Sequence, residues 1–256
     1  MSDVLQRLSC LFFLSLMVPS VGAVTKADYE VALENWSLVL ASYVDKEGKI
    51  DFKSLAKEPE YLKTYIDVIA RMSPTSHQAV FTSQAEVLSY HLNAYNALAM
   101  WGVIERDIPS DFDSFFKRLW FFKLQTVIVG NKSTSLYDYE NDVIRVFNEP
   151  RVHFALNCMV KDCPRLPQER FKANTLEEQL SDLTEDFFNK KKHLNIDHQH
   201  GFIYVSEILD FYTEDFVDSG KKQDLLVYIN QYSVEKIPLN YEVKFFNYDW
   251  TINQQP

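Results

Sequence analysis

The longest regular pattern in this chain runs from Ser83 to Arg106 and predicts one long helix against which the rest of the chain packs. Apolar side chains recur along it at the three- and four-residue spacing of one helix face: Leu88, Leu92, Tyr95, Ala99 and Val103. Ser83 with Glu86 forms a capping box, which marks the start of a helix. This segment is therefore expected to be a central element of the fold.

Two amides interrupt this helix, because Asn93 and Asn96 lie three residues apart on one side of it. A buried amide without hydrogen-bond partners costs about 1–3 kcal/mol, so each needs a partner. In one interpretation, both side chains form hydrogen bonds with loop backbone and thereby hold the packing of the helix. In the other, Asn93 points into a cleft as a hydrogen-bond donor. We favour the first.

The remaining pattern indicates an α+β fold, with a helical N-terminal part packed on a small β-sheet in a single compact domain. Helices are expected over 27–44, 58–72, 136–147, 175–190 and 224–232, and strands over 121–129, 202–205 and 243–247. Thr175 with Glu178 is expected to form a second capping box. Regular βαβ alternation and a Gly-rich phosphate loop are both missing from the sequence, and we expect no cofactor.

The first 23 residues, Met1 to Ala23, are predicted to be a secretory signal peptide. A short segment with Arg7 precedes an apolar run from Leu8 to Val18, and small residues follow. A membrane anchor is the alternative, but the run is shorter than the about 20 residues that a span needs. The protein is therefore expected to be exported, periplasmic or extracellular, with its single domain over residues 24–256 and no later membrane span.

The charge balance excludes some classes of partner. The formal net charge is -10, whereas nucleic acids and anionic membrane surfaces attract basic patches. We expect neither as a partner, and the sequence does not indicate what the partner is.

Chemically active side chains concentrate between Pro150 and Pro164, which include Arg151, His153, Asn157, Cys158 and Cys163. One interpretation is a nucleophilic thiol at Cys158, activated by the neighbouring base and cation and oriented by Glu140. If 151–156 is extended, Arg151 and His153 share a face. Members of such triads usually come from distant segments, however.

A disulfide is the second interpretation, since an even number of cysteines in an exported chain favours pairing of Cys158 with Cys163. The third is a zinc site of His153 and both cysteines with Glu140, but their spacing differs from that of usual zinc ligands. His198 and His200 have no third ligand nearby either. We favour the disulfide and predict no metal.

At these residues the chain resembles the family catalogued as domain of unknown function 547, from about Trp36 to Asn253. The resemblance is carried by 93–97, Glu140 with Arg145, 150–158 with Cys163-Pro164, the piece from Phe211-Tyr212 to Asp215-Phe216, and 248–250. His91 stands where the family usually has tryptophan, and Met159 where glycine is common. The resemblance implies a shortlist of functional positions: Asn93, Glu140, Arg145, Arg151, His153, Asn157, Cys158 and Cys163.

Two hypotheses about function follow, and the sequence does not decide whether the protein is an enzyme. The first is a hydrolase- or transferase-like domain with His153 as acid/base, Glu140 as its orienter and Arg151 as an anion contact, beside Cys158. In the same hypothesis, Asn93 would donate a hydrogen bond, and Arg145 and Asn157 would be the residues that bind the ligand. The second is a non-catalytic binding or scaffold module stabilised by the Cys158–Cys163 disulfide.

Overall fold

The computed structural model describes residues 23–256. The predicted signal peptide falls almost wholly outside the described residues, so it stays a prediction. The N-terminal part is helical, as expected: α1 spans Lys26–Tyr43, α2 Phe52–Lys57, α3 Glu60–Arg71 and α4 Gln84–Glu105. The capping box between Ser83 and Glu86 is present at the start of α4.

Helix α4 is buried almost all round rather than along one face. Besides the predicted apolar residues, Tyr90, His91, Asn93 and Asn96 are all buried. A helix without a polar face belongs in the interior of a domain. The two amides are thus placed deep in the protein, where each polar atom needs a partner.

The middle of the chain forms short irregular helices and a hairpin. Helix α5 (Phe115–Arg118) continues as a π-helix over Leu119–Leu124, and the hairpin pairs β1 (Thr126–Val129) with β2 (Lys132–Ser135). Helix α6 (Leu136–Tyr139) continues as a π-helix over Glu140–Ile144 and a 3-10 turn over Arg145–Phe147, and α7 spans Val152–Ala155.

The C-terminal part contains a second sheet. Its elements are α8 (Leu176–Phe188), β3 (Leu194–Asp197), β4 (Phe202–Val205), α9 (Ile208–Phe211), α10 (Thr213–Phe216), α11 (Leu225–Tyr232) and β5 (Glu242–Phe245). The strand order is β3-β4-β5, with β3 antiparallel and β5 parallel to β4. The predicted α+β class is confirmed, and residues 23–256 contain two small sheets in one compact domain.

Two hydrophobic clusters form the core, and α7 lies between them. Val152 and Ala155 belong to the cluster built on α1, α3 and α4, whereas Phe154 belongs to the cluster around the second sheet. The Phe154 ring lies 4.6 Å from Phe187 and 5.6 Å from Phe216, centroid to centroid. Packing on both sides therefore fixes α7, which carries His153.

Three local predictions were wrong. Residues 151–156 are not extended, because Val152–Ala155 forms a helical turn. The predicted strand over 121–129 begins only at Thr126, since the buried Phe121 stacks on Phe112 within the π-helical segment. Thr175 makes no side-chain cap to α8. Within residues 23–256, every helix is too short or too polar to cross a membrane.

Candidate functional site

A cavity of about 470 Å³ lies beside α7 and is walled mostly by aromatic and aliphatic side chains. This size is within the range of small-molecule sites. Two buried polar residues, Glu140 and His153, contribute to its lining together with Cys158. Tyr95 of α4 and Tyr212 lie beside them in the same wall. The cavity thus combines apolar walls with a few convergent polar groups, the usual make-up of a ligand site.

Four charged or chargeable side chains form a line at this wall. Arg145 donates two hydrogen bonds of 2.6 Å to the two carboxylate oxygens of Asp215. His153 Nε2 lies 2.7 Å from Asp215 Oδ2, and its Nδ1 faces Glu140 Oε1 at 3.9 Å. The order Arg145, Asp215, His153, Glu140 places each carboxylate beside a group that carries or can carry positive charge. Such alternation lowers the cost of burying the charges.

Asp215 is held ionised by its neighbours. Burial would raise the pKa of this carboxyl, but the hydrogen bonds from His153 and Arg145 outweigh burial and hold it well below its usual range. The same contact raises the pKa of Arg145. An ionised carboxylate only accepts hydrogen bonds. His153 Nε2 must therefore donate its proton to Asp215, which leaves Nδ1 as the nitrogen directed at Glu140.

Aromatic rings fix the planes of this line. The His153 ring stacks on Tyr212 with centroids 3.9 Å apart and planes at 22°, and Arg145 lies over the same tyrosine ring. Tyr95 donates a 3.2 Å hydrogen bond to Glu140 Oε2. Burial, and after it the neighbouring Glu140 carboxylate, raises the pKa of both tyrosines well above normal, so both hydroxyls stay protonated.

Of the four residues in the line, Glu140 and His153 contribute to the cavity wall, and Glu140 is the more exposed of these two. Its side chain is 12% exposed, whereas that of His153 is only 1% exposed. Glu140 Oε2 accepts a hydrogen bond from Tyr95. Its Oε1 faces His153 Nδ1 at 3.9 Å, which is longer than a hydrogen bond. A molecule in the cavity therefore meets the Glu140 carboxylate before the imidazole behind it.

Asn96 and Asn157 hold the chain that carries His153. Asn96 donates to the Ala155 carbonyl at 2.9 Å and accepts from the Asn157 backbone N–H at 2.8 Å. The Asn157 side chain donates to the Pro164 carbonyl and accepts from the Met159 N–H. These bonds tie α4 to the end of α7 and close the loop after it, so Asn157 supports the site rather than lining the cavity.

Asn93 has the packing role. Its carbonyl oxygen accepts from the Trp36 indole and from the Phe171 N–H, and its amide donates to the Phe171 carbonyl. The side chain thus connects α4 to α1 and to the loop before α8. It is not part of the wall of the cavity that Glu140 and His153 line.

Arg151 also lies away from this cavity, although it neighbours His153 in sequence. Its guanidinium donates to both oxygens of Glu149 and of Glu177, and to Ser181 on α8. Its hydrogen bonds to Glu149, followed by those to Glu177, raise the pKa of Arg151. The helical turn of α7 places Arg151 and His153 on different sides, so the predicted pairing of the two does not form.

Cys158 and Cys163 form a disulfide, with Cα atoms 6.0 Å apart, as predicted. The bridge leaves no thiol for the nucleophilic interpretation and no thiolate for the zinc interpretation. Residues 23–256 contain no group of three His, Cys, Asp or Glu side chains placed to hold a metal ion. His198 and His200 instead contact Glu235 and Asp197.

Removing the bridge is expected to cost about 2 kcal/mol of unfolding free energy, the chain-entropy value for so short a loop. For a domain of this size that loss lowers Tm by roughly 4–8 °C. Thermal unfolding of residues 24–256 with and without reductant, beside a Cys158→Ala/Cys163→Ala variant, checks this. Reductant should leave the Tm of this variant unchanged. Alkylation of the wild type without reductant would contradict the bridge.

Asp215, Tyr212 and Tyr95 are the site residues that sequence reasoning missed. The spacing of Tyr95 predicts only a place in the apolar stripe of α4, and Asp215 lies 62 residues beyond His153. The piece from Phe211-Tyr212 to Asp215-Phe216 carries part of the family resemblance but no chemical pattern of its own. The sequence signal for Asp215 as the partner of His153 is its position close in the chain to aromatic residues.

Comparison with known proteins supports the resemblance over part of the chain. A family model described as "Protein of unknown function, DUF547" matches residues 80–188. The match covers α4 and Glu140, Arg145, His153 and the disulfide, but it ends before Asp215. Searches of curated proteins and of solved structures gave no match.

Proposed function

We propose that this protein is an acid/base enzyme of hydrolase or transferase type, with Glu140 as the group that exchanges a proton with the substrate. The observation that supports it most is the Glu140 carboxylate in an apolar cavity, 3.9 Å from a histidine that Asp215 holds from behind. Buried carboxylates beside a second titratable group are typical of acid/base sites.

This proposal exchanges the roles that the sequence suggested for Glu140 and His153. The larger exposure of Glu140 makes it the residue that meets the substrate. His153 donates from Nε2 to Asp215 and takes up or returns a proton through Nδ1. Arg145 keeps Asp215 ionised, and Tyr95 orients the carboxylate of Glu140.

The chemistry follows from what the cavity contains. With Cys158 in a disulfide, the attacking group is a water or a substrate hydroxyl. Glu140 takes its proton as the oxygen attacks, and it then returns a proton to the leaving group as the scissile bond breaks. The apolar walls select a small substrate that is largely apolar around the reacting bond.

The test is turnover of p-nitrophenyl esters, phosphates and glycosides by wild type, Glu140→Gln and His153→Gln. Glu140→Gln is expected to lose about 10²–10⁴-fold in kcat, the usual contribution of a general acid or base. Asn195→Ala, an exposed change on β3, is the matched control. A folded Glu140→Gln variant with full activity would overturn the proposal, and a wild type inert to the whole panel would count against it.

A binding or scaffold module is the second candidate. It is favoured by the amides of Asn93, Asn96 and Asn157, whose polar atoms are satisfied within the protein. Such a module would bind an apolar ligand equally well with glutamine at position 140. Ligand affinity that is unchanged in Glu140→Gln, with no turnover by the wild type, selects this candidate.

Export is part of the proposal. The disulfide supports it, because such bridges persist mainly in oxidising compartments. The predicted signal peptide over residues 1–23 gives the route. Expression of the full chain should yield a periplasmic or secreted product whose N-terminal sequence starts near Val24, and an uncleaved cytosolic product would contradict it.

A further inference from the structure

The segment Phe115–Leu124 is rich in exposed apolar side chains and contains no acidic residue. It reads Phe-Phe-Lys-Arg-Leu-Trp-Phe-Phe-Lys-Leu. Four of its apolar side chains are half or more exposed: Phe115 at 65%, Phe116 at 78%, Trp120 at 52% and Leu124 at 55%. A cluster of exposed apolar side chains marks an interaction surface.

Cations surround this surface, and they lie over aromatic rings rather than against carboxylates. Arg118 lies over Trp250, Lys123 over Tyr137 and Arg106 over Trp120. In the described part of the chain, none of the three has a carboxylate within 4.0 Å. Lys117 differs, because Asp111 pairs with it. Arg118 and Lys123 are thus left without a carboxylate partner, whereas Glu105 lies beside Arg106 and Asp113 precedes the segment.

The same segment forms one wall of the cavity. Phe115, Arg118, Leu119, Phe122 and Lys123 contribute to its lining, whereas Phe116 and Trp120 do not. Phe116 and Trp120 are therefore directed outward while Leu119 and Phe122 close the cavity, and Phe115 contributes to both. Whatever covers the exposed side lies next to the cavity.

We propose that Phe115–Leu124 docks on the surface of an anionic lipid bilayer. Tryptophan and phenylalanine on a short helix flanked by lysine and arginine are the composition of an interfacial membrane segment. Charge complementarity selects the anionic surface for Arg118 and Lys123, which have no carboxylate partner. The net charge of -10 keeps the rest of the protein away from the same surface. Net charge alone led to the opposite expectation, because it hides this local basic face.

This docking does not depend on the proposed acid/base function. It places the cavity beside the bilayer, from which an apolar molecule can enter it. Loss of docking in Phe116→Ser/Trp120→Ser, whose residues do not line the cavity, would leave turnover of a soluble ester intact, and loss of Glu140 would leave docking intact. The two proposals can therefore fail separately.

Co-sedimentation with vesicles tests the docking, using phosphatidylcholine alone or mixed with phosphatidylglycerol. Wild type is expected to bind the mixed vesicles, and Phe116→Ser/Trp120→Ser to bind them at least about tenfold more weakly, as the loss of two inserted aromatic rings implies. The control is Val234→Ser/Leu239→Ser, which removes two exposed apolar residues elsewhere, at 83% and 59% exposure. Arg118→Gln/Lys123→Gln should remove the preference for anionic vesicles.

Three results would overturn the proposal. One is wild type that stays in the supernatant with both vesicles. Another is an equal loss of binding in the control pair. The third is a wild-type dimer in solution that Phe116→Ser/Trp120→Ser converts to monomer without any vesicle binding, because a second copy of the chain would then cover this surface. Circular dichroism of each variant confirms that it is folded.

Discussion

Replacing Asp215 with asparagine is expected to lower kcat/KM by about a hundredfold or more on any substrate turned over through Glu140. The variant keeps the size of the side chain but removes the charge to which Arg145 and His153 donate. An amide at this position also donates hydrogen bonds, so His153 is no longer held with its proton on Nε2. When the histidine behind an acid/base group has the wrong tautomer, that group loses most of its contribution to the reaction rate.

The measurement is kcat/KM as a function of pH for wild type, Asp215→Asn and Asp215→Glu. Asp215→Glu restores the charge and should recover part of the activity, whereas Asp215→Asn should also change the shape of the pH profile. Glu214→Gln, the exposed neighbour, is the control. An Asp215→Asn variant with wild-type activity and profile would show that the line behind Glu140 has no catalytic role.

Acid is expected to destabilise the fold through two buried histidines outside the site. Burial lowers the pKa of His91 from 6.5 to about 4 and, with the nearby lysines Lys192 and Lys190 adding to it, that of His193 to about 2. Both are neutral when folded, while the unfolded chain takes up protons near pH 6.5. The stability that depends on these two neutral histidines is therefore fully present above pH 6.5, and the unfolding free energy decreases as the pH falls from 6.5 toward 4.

The expected loss is large. Each histidine contributes about 1.4 kcal/mol per pH unit, so the two together remove on the order of 6 kcal/mol by pH 4. That is comparable to the whole stability of many domains. Urea unfolding between pH 7 and 4 measures the slope. His91→Gln should halve it, and the exposed His198→Gln should leave it unchanged. A slope unaffected by His91→Gln would contradict this assignment.

The parts of the fold that were predictable from sequence depend on local signals. The spacing of apolar residues and the Ser83–Glu86 capping box identified α4, and two nearby cysteines identified the disulfide. Patterns inside one segment suffice for such elements. They failed for 151–156, because packing on two cores makes α7 a helical turn.

The site itself was only partly predictable. His153 is predictable from the concentration of reactive side chains between Pro150 and Pro164, Glu140 as its candidate orienter, and Arg145 from the resemblance. Asp215 was not found, since its role exists only once α10 packs against α7. Closeness in sequence also gave a wrong expectation for Arg151. It lies near His153 in the chain, but its guanidinium pairs with Glu149 and Glu177.

One departure from the pattern of the family that the chain resembles has a local explanation in the structure. Met159, where that family commonly has glycine, has φ of 66°, a backbone conformation that glycine adopts without strain. The Asn157 side chain accepts a hydrogen bond from its N–H, and the Met159 side chain is fully buried. Neighbouring contacts therefore hold a non-glycine residue in the left-handed region at this loop.

Asp215 holds His153 so that its other nitrogen faces Glu140 in the cavity. Side-chain ¹⁵N NMR of the histidines measures this arrangement. We expect His153 Nε2 to carry a proton at neutral pH and this preference to be lost in Asp215→Asn. A His153 ring with a bare Nε2 in the wild type would contradict it, because Asp215 would then have no proton to accept and Glu140 no oriented partner.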